Sequence, residues 1–337
     1  MEYRKIIGFG GNSHVVSLPK NWMVVNNLKK GDVVYLEHEN GALVLSANNI
    51  HSRHELRTIE IDAENKSIEA IKAEIVAAYL NNFDAIEIFS NNLKADAPQI
   101  KTILRNLAGL EIMMHTTKRI VAKDLLNTSE ASIKSIIRRM DNIARVMIDD
   151  TTECIEGIDH YEDINQRDID MNRLYFLVLR VARNAYLNPS IMKEFKTSAW
   201  ELLMERNIAT KIEKIADHQK RIARYLRTIH LNPKTREELK NVHAVIKGSY
   251  LNVMDAYYKK DKPLALEVNV SNRERIQLCN DFLIRNSEAK LQGEMNNDRV
   301  NIEKDPRYWT DLARIVENLK AMCSSIKYIS RSVIDVD

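Results

Sequence analysis

Two groups of side chains in this sequence are typed and spaced for chemistry, and in both the chemistry is electrostatic. The first is basic. Residues 1–30 carry Arg4, Lys5, Lys20, Lys29 and Lys30 against a single acid, Glu2. A local excess of this kind can neutralise the backbone phosphates of a nucleic acid. The second is acidic. Glu213 and Asp217 stand four apart, and Asp168 with Asn172 repeats the spacing with an amide in the second place. Residues four apart share one face of a helix, so two carboxylates there can hold a hard cation. Other chemistries find no foothold. Cys154, Cys279 and Cys323 lie far apart and form no CxxC pair. The loop Gly8-Phe9-Gly10-Gly11 lacks the Gly-Lys-Ser/Thr ending of a phosphate-binding loop and the long helix after it. No nucleophile stands paired with a base, so the chain is not expected to be an enzyme.

Composition narrows the setting. The chain has 337 residues, 45% apolar and 29% charged, with a net charge of +3. That is too balanced for a protein that binds nucleic acid by bulk charge, and it concentrates interest on the N-terminal basic cluster. The most apolar stretch, Tyr175 to Val181, is cut by Arg180 and falls far short of the roughly 20 residues of a membrane span. The start Met1-Glu2-Tyr3-Arg4-Lys5 has no apolar signal core. No membrane span and a reducing, cytoplasmic location are expected.

The elements that must position these groups divide unevenly. Five of the nine glycines (Gly8, Gly10, Gly11, Gly31, Gly41) lie in the first 50 residues, which predicts a turn-rich β head on a long helical body. In the head, Tyr3 to Ile7 and Val15 to Leu18 read as strands around a loop at Gly8 to Ser13. Pro19 opens a short helix, and Leu28 to Asp32 is a turn. Val33 to Glu37 and Leu43 to Ser46 pair around Asn40-Gly41, a strong hairpin signal. A segment of about 50 residues without metal or disulfide cannot bury a core alone, so self-association is expected.

The head resembles the swapped-hairpin AbrB/SpoVT fold. Val16-Ser17-Leu18-Pro19-Lys20 and Leu28-Lys29-Lys30-Gly31-Asp32 carry the likeness at the family's spacing. The resemblance implies an intertwined homodimer whose loops place basic side chains on DNA. By position, Arg4, Lys5, Ser13, His14, Lys20 and Asn21 are the implied DNA-binding residues.

Residues 55–126 alternate β-α-β-α-β-β, which implies a small α/β unit with its helices on one sheet face. Ser67 caps its first helix, and Gly109 ends its second. His51 and His54, three apart, read as a solvated linker rather than a metal site.

Residues 128–337 read as helix. Helices are expected from Thr128 or Ser129 to Gly157, then at 161–187, 191–231, 235–260, 263–291 and 306–335. Three helices followed by three more imply duplicated three-helix bundles. On the third helix, Ile208, Ile212, Ile215, Ile222 and Leu226 form the buried stripe. Glu213 and Asp217 fall nearly opposite, with Lys220 and Arg224 on their side and His218 about 100° from Asp217. Arg221, Arg224 and Arg227 read as a solvated face, Met140, Met147 and Met254 as core, and Trp200 and Trp309 as packing anchors.

This body resembles the PhoU family of phosphate-uptake regulators, through Gln166-Arg167-Asp168 to Phe176 and Ile212-Glu213 to His218. The resemblance implies metal ligands at Glu213, Asp217 and Asp168 and a divalent metal or iron on the helical body. The carboxylate pattern departs from the family's, because Asn172 and Ala321 stand where acids belong. The whole is therefore expected to be multidomain and mainly α: a swapped-hairpin domain at 1–48, a small α/β domain at 55–126 and PhoU-like tandem bundles at 128–337. The expected function is a DNA-binding transcriptional regulator of phosphate uptake. The alternative is an adaptor that docks on a phosphate ABC transporter ATPase or a kinase, with the head only dimerising it.

Overall fold

The computed structural model describes residues 3–11, 13–39, 42–47, 56–126, 132–295 and 306–335. The chain divides into two units, Met1–Glu55 and Leu56–Asp337.

In the first unit, β1 (Ile7–Phe9) pairs antiparallel with β2 (Ser13–Val15), Gly8 facing His14. Both strands lie nearer the glycines than the sequence predicted. Gly8 and Phe9 are ladder residues rather than loop, because the turn closes within the few residues after Phe9. Helix α1 (Lys20–Val25) follows Pro19, its N-cap. Lys29 donates its backbone N–H to Asp32 at 2.6 Å, closing the next turn. Strands β3 (Tyr35–Glu39) and β4 (Ala42–Ser46) form a second hairpin, Leu36 opposite Leu45. Its turn at Asn40-Gly41 lies outside the described residues, as do His51 and His54.

The second unit begins with a four-stranded sheet of order β5-β6-β8-β7. Here β5 (Thr58–Asp62) runs parallel to β6 (Ala85–Phe89), and β8 (Arg119–Asp124) is antiparallel to both β6 and β7 (Leu110–His115). The parallel pair needs a crossover, which α2 (Ile68–Leu80) supplies. Ser67 caps α2 as its sequence predicts, its hydroxyl accepting from the N–H of Ala70. With α3 (Ala97–Arg105), α2 covers the sheet: Ile71, Ile75, Ile100 and Leu104 are fully buried over Ile86, Ile88 and Ile120. Gly109, at φ +87°, turns the chain from α3 toward β7, and a Cβ there would stand 2.5 Å from Leu126 Cβ.

The helical part comprises α4 (Ile133–Glu156), α5 (Tyr161–Leu187), α6 (Pro189–Glu194), α7 (Ala199–Leu226), α8 (Pro233–Lys259), α9 (Lys262–Val270), α10 (Asn272–Met295) and α11 (Pro306–Ile334). Thr128 and Ser129 lie outside the described residues. The cap of α4 is Ser132, and Gly157 at φ +103° ends the helix. Two of the expected long helices are broken. The stretch expected as 191–231 is α6 and α7, separated where Lys196 takes φ +49° and Ser198 with Glu201 forms a capping box. The stretch expected as 263–291 is interrupted at Ser271. Neither break falls at a glycine or proline; the signal in the sequence is the Ser-x-x-Glu spacing of Ser198 with Glu201 and of Ser271 with Glu274.

Helices α4, α5 and α7 form one group, α8, α10 and α11 the other, and one continuous core of buried Ile, Leu, Val, Met and Ala spans both. Met140, Met147 and Met254 are in it. Trp309 packs against it, but Trp200 is half exposed and its indole N–H only reaches the carbonyl of Asp335 at 3.4 Å. Trp200 is thus not the packing anchor expected. All three cysteines are buried and free. Among the described residues, no helix is long and apolar enough to cross a membrane.

Candidate nucleic-acid interface and acidic helix face

Arg4 and Lys5 lead into β1, Ser13 and His14 lie on β2, and Lys20 and Asn21 open α1. All six are exposed. The Gly8–His14 pairing sets His14 across from the residues that follow Lys5, so the first four of these residues belong to one hairpin and its approach. Lys20 and Asn21 sit in the first turn of α1, where helix N–H groups are unsatisfied and favour an anion.

The same unit carries an apolar set that is exposed among the described residues. No described residue between positions 3 and 47 is buried. Ile6 and Phe9 are each 70% exposed, and Ile7, Val16, Val33, Leu36 and Leu43 are exposed as well. Two isolated two-stranded hairpins are marginal in water, and contiguous exposed apolar side chains mark an association surface.

The acidic face is built where α5 crosses α7. Lys220 is the central group. Its Nζ donates to Asp168 Oδ2 at 2.6 Å and stands 3.4 Å from Asp217 Oδ1. Arg221 Nη2 lies 2.7 Å from Asp217 Oδ2, and Asn172 Nδ2 donates to Asp168 Oδ2 at 3.1 Å. Burial by itself lowers the Lys220 ammonium, but the hydrogen bond and charge of Asp168, with Asp217 behind them, carry it above its ordinary value. Glu213 lies mostly buried, 3.4 Å from the ammonium of Lys214, and burial raises its carboxyl.

The structure therefore brings Asp168, Glu213 and Asp217 into one neighbourhood, but as a carboxylate pair bridged by an ammonium. The donor set does not fit a metal: Lys220 sits between the two aspartates where a cation would have to bind. Among the described residues, no three His, Cys, Asp or Glu side chains are grouped to hold an ion. His218 turns to α11, where its Nδ1 meets Asn318 Oδ1 at 2.8 Å, and burial lowers its basicity. Asp217 pairs with both Lys220 at i+3 and Arg221 at i+4. Arg224 instead lies over the Tyr225 ring at 5.1 Å. Arg227 pairs with Asp159 at 3.1 Å and stacks on Tyr161.

Sequence reasoning missed one buried junction. Arg180, the charge that interrupts the apolar run of α5, donates to Asp124 at the end of β8. Its Nε also donates to Asn82 Oδ1 at 3.0 Å, and its guanidinium lies 4.5 Å from the Tyr79 ring centre. The available signal was the charge itself: a buried arginine inside an apolar helix face needs a fixed acid.

Comparison with known families follows these boundaries. Residues 137–226 match the family model of the PhoU domain, and residues 9–50 match a model described as antidote-toxin recognition MazE, bacterial antitoxin. The PhoU match runs from inside α4 to the end of α7, the first helical group. The MazE match runs from the last residue of β1 through β4. Comparison with curated proteins and with solved structures returns no match. The chain thus joins a MazE/AbrB-type swapped-hairpin domain to a PhoU domain.

Proposed function

We propose that this protein is a regulator of phosphate uptake. Its N-terminal domain binds DNA as a homodimer, and its helical part reads phosphate status, directly or through a transporter ATPase or kinase, without catalysing a reaction itself. The observation that carries this reading is the head. Its basic side chains lie on the same small unit as an apolar set that a single chain leaves exposed. A second copy would cover the apolar set and double the basic cluster, giving one charged surface for the phosphate backbone. The PhoU-domain match over 137–226 supports the phosphate-regulatory part.

Signalling between the parts requires two states that differ in ligand affinity and in DNA affinity, since a ligand shifts an equilibrium only by its differential binding. The test is a DNA titration of the full chain across a salt series. Binding should weaken linearly in log salt, with a slope of about −0.9 per phosphate contacted. Lys5→Ala and Lys20→Ala should each weaken it and flatten the slope. A flat titration at low salt from a chain that is still dimeric would overturn DNA binding and favour the adaptor reading.

A further inference from the structure

The seam between the two helical groups encloses a cavity of about 600 Å³, within the range of small-molecule sites. It is polar in a directed way. Its rim carries exposed cations: Lys134 and Arg138 from α4, Lys260 after α8, and Lys262 at the start of α9. Its inner wall is apolar, with Met204, Ile208 and Val333 all buried. Besides Glu201 and the Ser332 hydroxyl, which donates to the Tyr328 carbonyl, two polar groups interrupt that wall. One is Glu205, buried, 3.6 Å from the rim ammonium of Lys134, its carboxyl raised by burial. The other is the Tyr257 hydroxyl, which is buried and has no hydrogen-bond partner among the described residues.

These groups constrain what fits. Lys260 and Lys262 form no salt bridge among the described residues, although the Lys260 charge acts on Glu205, and the Arg138 guanidinium lies 4.7 Å from the Tyr258 ring centre. Three cationic groups are therefore available at the mouth. Glu205 opposes an anion farther in, so the negative end of a ligand stays at the rim. The Tyr257 hydroxyl requires a polar partner inside, which an alkyl chain cannot give, and a buried unpaired hydroxyl is costly. The tilted rings of Tyr257 and Tyr258, 5.2 Å apart, offer aromatic surface to a planar group.

We infer that this cavity binds a mononucleotide-like ligand, its phosphate among Arg138, Lys260 and Lys262 at the rim and its heterocycle inside against Tyr257 and Glu205. Such a ligand would touch α4, α7 and α11 together with the α8–α9 turn, and so hold the two helical groups in one relative arrangement. This goes beyond the regulator reading and does not depend on the head binding DNA.

The structure supplies two variants that should keep the fold. Lys260 takes φ +55°, so Lys260→Gly removes the charge and relieves the backbone. Tyr257→Phe removes only an unpaired hydroxyl. The experiment is calorimetric titration of the full-length chain with AMP, GMP, CMP and UMP, with adenosine, inorganic phosphate and octanoate alongside. At least one mononucleotide should bind. Lys260→Gly with Lys262→Ala should weaken it by about tenfold or more, and Tyr257→Phe by a smaller factor, while the ligand-free melting temperature does not fall. Phosphate and adenosine should each bind more weakly than the mononucleotide. The inference is overturned if no mononucleotide binds, if octanoate alone binds, or if binding is unchanged in both variants. Loss of DNA binding by the wild-type chain would overturn the regulator reading and leave this one intact.

Discussion

Lys220 on α7 and Asp168 on α5, 52 positions apart, meet at 2.6 Å, and the same ammonium reaches Asp217 at 3.4 Å. A lysine thus balances two carboxylates that the sequence pattern presents as ligands for a cation. Removing it leaves Asp168 buried and short of its charge partner. Lys220→Met is expected to cost about 1–3 kcal/mol of stability, the range for an abandoned buried polar or charged group. The pH dependence has a definite sign. The Lys220 ammonium is raised in the folded protein, so its contribution is complete below its unfolded value of about 10.4 and is lost as pH rises through the folded one. Urea midpoints at pH 8 and pH 11 should fall further in the wild type than in Lys220→Met. Equal falls would refute the bridge.

His243 gives the opposite window. It is fully buried on α8, its Nδ1 3.2 Å from Thr152 Oγ1 and its Nε2 3.3 Å from Gln219 Oε1. Burial lowers it to about 4, with Lys247 adding to that and Asp149 opposing it. The unfolded chain, at about 6.5, takes up the proton first, so stability is complete above pH 6.5 and declines as pH falls toward 4. At about 1.4 kcal/mol per pH unit the loss reaches about 3 kcal/mol. His243→Gln should flatten the stability profile between pH 6.5 and 4, as read by urea denaturation at several pH values. An unchanged slope would mean that His243 is not the proton acceptor.

Arg180 ties the sheet to the helices. Both it and Asp124 are nearly inaccessible, so truncating one leaves the other as an unpaired buried charge. Arg180→Met is expected to destabilise the second unit by about 3–5 kcal/mol. Arg180→Met combined with Asp124→Asn should recover part of that loss. A double variant no more stable than the single one would argue that the arginine acts through its packing on Tyr79 instead.

The exposed apolar set of the head predicts its own failure mode. Ile7→Asp with Val16→Asp places charge where a second copy would cover the strands. Sedimentation should show a monomer, while the thermal transition of the helical part stays within about 2 °C of the wild type. Each surface change carries only about 0.5 kcal/mol within a single chain, so folding itself should be little affected. A dimer that survives both substitutions would place the association surface elsewhere.

Local signals decided most of the architecture. The crowding of glycines before residue 50, the Ser67 cap, the alternating strands at 58–62 and 85–89 and the isoleucine stripe of α7 are each written within a few consecutive residues. Backbone propensity and side-chain periodicity act over that same range. The basic cluster at Arg4, Lys5 and Lys20 was legible for the same reason, since a charge excess needs no fold to be counted. The breaks at Lys196 and Ser271 were harder to see, because neither site carries a glycine or proline and the only local mark is a Ser-x-x-Glu spacing at each.

The chemistry of the acidic face lay beyond the sequence. Glu213 and Asp217 share a helix face by periodicity alone, yet whether they meet a metal or an ammonium depends on the crossing of α5 over α7, which delivers Asp168 to Lys220. The Arg180–Asp124 contact and the cavity between the two helical groups arise in the same way, from residues 56 to about 200 positions apart. By itself, the sequence determined most of the helical and strand segments and where the basic cluster lies. Which charges neutralise one another was decided only by the tertiary structure, because Coulomb energy and desolvation depend on distances of a few ångströms that no residue spacing along separate helices specifies.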